Sequence, residues 1–184
     1  LTGTQEVEFE DAIKGGSIPR EYIPSVEKGI RAQCKRGAQY AFPFVGFKAS
    51  LYDGKYHDVD SSDMAFQEAG RLSFRLAADG NSQFLEPMMK IEVLVPEANL
   101  GDVIGDLNSR RAAIEETADR MHLKVITGKV PIAEMFSYSS KLRGMTQGRG
   151  TYSMEPAGYA PVPESVTQAI VKEIEEAKKK AGKG

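Results

Sequence analysis

The stretch PMMKIEVLVPEANLGDVIGDLNSRR, residues 87–111, decides the fold of half the chain. It opens with an apolar, alternating run that predicts a strand. It continues into GDVIGDLNSRRA, a short helix in which Val103, Ile104 and Leu107 face a sheet. Toward the C-terminus, AIEETADRM and HLKVITGKVP read as two more strands, IAEMFSYSSKLRGM as a helix and RGTYSME as a last strand. The order βαββαβ is that of the ferredoxin-like split motif, which makes this part a domain of its own. After the turn-rich PAGYAPVP comes a final helix with Val166, Ile170 and Ile174 on one stripe and charges elsewhere. Such a helix depends on packing, so it is expected to dock on the first domain, with KKKAGKG as a solvated tail.

Toward the N-terminus the pattern differs. QEVEFE alternates as a half-buried strand does, and IKGGSIP breaks it with two glycines and a proline. A helix is expected next, with Pro24 in its first turn, Val26, Ile30 and Cys34 on one face and Gly37 as terminator. FPFVGFKASLYDGKYHDV reads as extended chain with a turn at Asp53 and Gly54. A second helix follows over about 62–78, with Ala65, Ala69, Leu72 and Leu76 as its inward stripe.

Composition narrows the function classes. At 184 residues, 41% hydrophobic and 27% charged, the chain has the make-up of a globular protein, and its apolar runs are too short to span a bilayer. No secretory pattern opens the sequence, and the lone Cys34 suits a reducing cytosol. A net charge of −2 argues against bulk coating of nucleic acid, so any RNA contact is expected to be local and shaped.

YHDVDSSDMAF, residues 56–66, sets one of the two histidines among three aspartates and two serines. One reading makes His57 a general base oriented by Asp58 or Asp60, with Ser61 or Ser62 as nucleophile. Another makes His57, Asp58, Asp60 and Asp63 metal ligands. Neighbours along an extended strand point to alternating faces, which disfavours the first, and no further ligand set supports the second. The structural reading is that Asp60, Ser61 or Ser62 caps the following helix. Capping leaves the imidazole unexplained. Cys34, Met88, Met89, Met135 and Phe136 read as core or interface packing, and His122 as a residue at a strand start.

Six collinear blocks, GGSIPREYIPSVEKGI, YDGKYHDVDSSDMAF, LEPMMKIEV, GDVIGDLNSRR, AEMFSYSSKLR and TQGRGTYSME, together resemble the carboxy-terminal part of bacterial translation elongation factor G. The resemblance implies an α+β chain in three parts. Residues 1–86 would be the factor's domain IV, with a fold like the second domain of ribosomal protein S five and a left-handed βαβ crossover. Residues 87–160 would be domain V, ferredoxin-like, and 161–184 a helix returning to domain IV. It also implies a tip formed by Gly15, Gly16, Ser17, Ile18 and Pro19 beside His57 and Asp58, which enters the ribosomal decoding site and lies against the transfer RNA–messenger RNA duplex. The implied partners are both ribosomal subunits and their RNA, with the ribosome recycling factor as a further one; the implied setting is a cytoplasmic monomer. Arg110, Arg111, Lys141, Arg143 and Arg149 are the candidates for a patch on large-subunit ribosomal RNA.

No G-x-x-x-x-G-K-[ST] loop is present, so GTP and Mg2+ are implied only for the parent factor, and no catalytic, metal or cofactor site is expected in this segment. Family members carry a Gly-rich strand similar to GGRGQYG upstream, so the resemblance implies a fragment with an unpaired strand edge or an incompletely covered core in the first domain. The chain departs from the family at Ala112, where RRG is usual, and at Ser137 and Ser139 within the FGYA block. Those departures point to a divergent copy, specialised for translocation or for recycling; a ribosome-recycling or ribosomal-protection relative is the alternative within the family, and a stand-alone hydrolase using His57 and its aspartates the alternative from another class.

Overall fold

A computed structural model describes residues 6–38 and 40–181. The end of the expected tail, 182–184, lies outside the described residues. Two compact units are present, one comprising the chain up to Gln83 with the segment from Ser165 on, the other Phe84–Glu164.

In the first unit, β1 (Glu8–Asp11) pairs in parallel with β2 (Lys48–Leu51), Glu8 opposite Lys48 and Asp11 opposite Leu51. Parallel partners need a crossover, and α1 (Ile23–Arg36) supplies it. Pro24 sits in its first turn, Gly37 closes it at φ 78°, and Val26, Ile30 and Cys34 are buried, all as the spacing predicts. Of the extended stretch, only Lys48–Leu51 forms a strand. The described residues give this unit a sheet of two strands.

Helix α2 (Asp63–Ala78) occupies the expected span but turns a different face inward. Phe66, Gly70 and Ala78 are buried and Phe74 half-buried, while Ala65, Ala69, Leu72 and Leu76 are exposed, Leu76 by 76%. Close helix packing explains the rotation. A Cβ on Gly29 of α1 would stand 3.0 Å from Gln67 Cα, and one on Gly70 would stand 3.2 Å from Val26 Cα, so the two backbones touch where each helix offers a glycine. Around this crossing lie Ile18, Ile23, Val26, Ile30, Cys34 and Phe66, edged by Phe44, Phe47 and Phe74. Helix α5 (Glu164–Ala181) has no fully buried residue. Its Val166, Ile170 and Ile174 are half-buried, and the Lys178 ammonium lies 5.7 Å from the Tyr40 ring centroid.

The second unit follows the predicted order. Strands β3 (Leu85–Pro96), β4 (Ala113–Arg120), β5 (Leu123–Pro131) and β6 (Thr151–Pro161) form one antiparallel sheet in the order β4-β5-β3-β6, with α3 (Leu100–Ser109) and α4 (Tyr138–Thr146) as the helices of a ferredoxin-like fold. Ile91, Val93 and Val95 of β3 pack with Val103, Leu107, Ile126, Tyr138 and Leu142. Two details differ from the sequence reading. PAGYAP continues β6 instead of turning, because an edge strand tolerates prolines and Leu85–Pro87 remains available to pair with it past a register shift. Residues 132–145 do not form one helix: a 3-10 turn (Ile132–Met135) ends at Phe136, and Ser137 at φ 63° resets the chain before α4.

Candidate functional site

Both loops singled out by the sequence leave the same end of the β1–β2 pair. Asp11 and Leu51 are opposite each other at the C-terminal ends of the two strands, and Ala12 donates its N–H to the Leu51 carbonyl at 2.8 Å. Parallel strands therefore launch the glycine loop and the histidine loop side by side.

In the first loop Gly15 and Gly16 have φ of 75° and 72°, a left-handed pair that L side chains rarely adopt, and open space lies where their Cβ atoms would be. Ile18 then turns inward and is 3% exposed. Its side chain fills the space that a Cβ on Gly54 would need, the nearest approach being to Ile18 Cδ1, with Cγ1 at 2.7 Å. The glycine loop and the histidine loop are thus in contact at Ile18 and Gly54. Ser17 Oγ is buried without a hydrogen-bond partner among the described residues.

The second loop closes on itself. The Ser61 N–H donates to the His57 carbonyl at 3.1 Å, and the His57 N–H donates to Ser61 Oγ at 3.0 Å. Ser62 caps α2 by accepting from the Ala65 N–H at 3.1 Å, which fulfils the structural reading of the serines, and Asp63 adds a carboxylate to the first turn. Ser25 Oγ donates to that Asp63 carboxylate at 2.5 Å, tying the start of α2 to α1. His57 and Asp58 are exposed, and the imidazole makes no hydrogen bond within the described residues. Tyr56 is held protonated beyond its ordinary range, first by desolvation and then by the negative Asp58 beside it.

This arrangement does not assemble a nucleophile and base. The Ser61 hydroxyl is bonded to the backbone of His57, and Ser62 is engaged at the helix cap. Among the described residues no group of three or more His, Cys, Asp or Glu side chains has the geometry to hold a metal ion. What the loops offer is a small polar surface: an imidazole, a carboxylate and accessible glycine backbone.

The five basic residues of the second unit divide into two sets. Arg111 forks onto Glu86 at 2.6 and 2.7 Å and also reaches Glu134 at 2.9 Å, contacts that hold its guanidinium firmly charged. Arg110 pairs with Asp106 at 2.7 Å, donates to the carbonyls of Glu134 and Phe136, and lies over the Tyr138 ring at 5.1 Å. These two arginines clamp the 132–137 turn to α3 and β3, so both are engaged within the unit. Lys141, Arg143 and Arg149 are exposed and have no carboxylate partner among the described residues; Arg143 contacts only Ser139 and Arg149 only the Thr146 carbonyl. Phe136, read from sequence as packing, is 80% exposed because Ser137 turns the chain immediately after it.

Residues 1–80 match the family described as "Elongation factor G, domain IV", and residues 83–170 match "Elongation factor G C-terminus". A crystal structure of a protein from Thermus thermophilus superposes with a TM-score of 0.82 and 41% sequence identity over 94% of this chain. The superposed region is 26% of that protein's chain, so the sequence spans about a quarter of the relative. With both family segments present in order, on the expected folds, the chain belongs to the elongation factor G family and carries its domain IV and C-terminal portions.

Proposed function

We propose that this chain is the mechanical arm of a translational GTPase. Its loop end enters the decoding site of the small ribosomal subunit, lies against the transfer RNA paired with its codon, and prevents that duplex from slipping back during translocation. GTP and Mg2+ act on the parent factor outside these domains, and the arm works in the cytoplasm as part of a monomeric factor. The observation that carries this reading is the contact between Ile18 and Gly54, which joins the two loops while leaving His57 exposed.

The chemistry suits folded RNA. An A-form duplex presents 2′-hydroxyls and base edges in a wide, shallow minor groove, within reach of short polar side chains and glycine backbone. Carboxylates such as Asp58 repel phosphates, so the contact rests on shape and hydrogen bonding and releases readily. In the second unit, Lys141, Arg143 and Arg149 are the cations available to large-subunit ribosomal RNA. His57→Ala in the full-length factor is expected to slow translocation in a toeprinting assay while ribosome-stimulated GTP hydrolysis stays near wild type. Equal loss of both activities refutes the arm; normal translocation refutes the role of the imidazole.

A further inference from the structure

Three aromatic rings form a column behind the histidine loop. Phe66 of α2 is 7% exposed and belongs to the core. Tyr22 stacks on it with centroids 4.7 Å apart and planes inclined by 19°, and Tyr56 stacks on Tyr22 at 5.9 Å and 30°. Tyr22 is therefore common to both stacks. It ends the 3-10 turn that follows Pro19, and its N–H donates to the Pro19 carbonyl at 3.0 Å, so its backbone is tied to the end of the glycine loop. Tyr56 immediately precedes His57 in the chain.

We propose that Tyr22 is a positioning residue for the tip: acting through Tyr56, it fixes the His57–Asp58 loop in place beside the Gly15–Gly16 loop. This inference rests on the arm reading and adds the means by which the imidazole is aimed. The hydrogen bonds between His57 and Ser61 are internal to their loop, so they shape it without orienting it. Orientation comes from the Ile18–Gly54 contact at one side and the Tyr22–Tyr56 stack at the other. An aromatic pair contributes about 0.5–1.5 kcal/mol beyond its buried area, enough to bias a short exposed loop toward one arrangement. Polar recognition needs such support, because a contact side chain has to be held within about 0.5 Å of its working position.

Backbone 15N relaxation on this 184-residue chain tests the inference directly. In Tyr22→Leu, order parameters over residues 56–60 are expected to fall from about 0.85 to below about 0.6, with α1 and α2 unchanged. Tyr22→Phe keeps the ring and is expected to retain the ordered loop. A loop that stays ordered in a folded Tyr22→Leu overturns the proposal. Should that variant lose its helices, Tyr56→Leu removes the outermost ring without entering the core; the same loss of order is expected, and a rigid loop there also overturns the proposal. The same substitutions in the full-length factor separate the two levels. A loosened loop with impaired translocation supports both, whereas a loosened loop with normal translocation upholds the positioning role and refutes the part given to the aimed imidazole in translocation.

Discussion

Ile18 and Gly54 occupy one volume: the isoleucine side chain fills the space in which any larger residue at 54 would place its Cβ. Gly54→Ala is therefore expected to destabilise the first unit by about 1–3 kcal/mol, the usual range for an overfilled core. Ile18→Val removes the colliding Cδ1, so the double variant is expected to recover part of that loss. Urea titrations of the four proteins in this cycle measure the coupling, and strictly additive losses contradict the shared volume.

The Cys34 thiol, 3% exposed, is pushed up from 9.0 to about 11, chiefly by burial. The folded state therefore holds its proton more tightly than the unfolded chain. The thiol's contribution is fully present below 9.0 and is lost as pH rises through about 11. Denaturation midpoints are expected to decline across that window, and Cys34→Ala to decline less steeply across it. Parallel profiles for the two proteins contradict the assignment.

Ser137 holds φ 63° and ψ 5° at an exposed position, where its carbonyl accepts from the Lys141 N–H at 3.1 Å. A left-handed conformation costs an L residue roughly 1–2 kcal/mol, against about 0.5–1 kcal/mol for the extra chain entropy of glycine. Ser137→Gly is thus expected to stabilise the second unit by about 0.5–1 kcal/mol. Calorimetry on Ser137→Gly and Ser137→Ala checks this, since alanine offers no such relief; equal melting temperatures contradict it.

Helix α5 leaves Val166, Ile170 and Ile174 half-buried, and Lys178 sits over Tyr40. Amide exchange over residues 163–181 is expected to be slow in the turns carrying those aliphatic residues and faster toward the lysine-rich end. Uniformly rapid exchange contradicts docking of the helix on the first unit.

Much of this was legible in the residues because pattern and packing agree. The βαββαβ order of the second unit follows from strands whose apolar alternation is sustained, as at Ile91, Val93 and Val95. Helix α1 was readable because Ile23, Val26, Ile30 and Cys34, apolar residues at helical spacing, are all buried. Helix α2 misleads for the opposite reason. It carries apolar residues on two faces, and the inward one is chosen by Gly70, whose missing side chain lets Val26 approach. A stripe drawn by hydrophobicity passes over glycine, although the glycines at 29 and 70 were the signal. Motif order singled out the glycine loop and the histidine loop, but neither their contact at Ile18 and Gly54 nor the ring column has a periodic signature. Carboxylate partners are equally silent: Glu86 and Glu134 lie 25 and 23 residues from Arg111, beyond the reach of any local rule.

Glu86 and Glu134 on Arg111, with Asp106 on Arg110, set how the second unit responds to ions. A cation already neutralised inside the fold displaces no condensed counterion when it meets a polyanion, so Arg110 and Arg111 drop out of the count. Of the five candidates, Lys141, Arg143 and Arg149 remain without a carboxylate partner among the described residues, and under the proposed RNA contact they correspond to a slope of about −2 to −3 in a plot of log affinity against log salt, where five would give about −3.5 to −4.5. Binding of this unit to RNA would accordingly survive moderate ionic strength better than its inventory of arginines suggests.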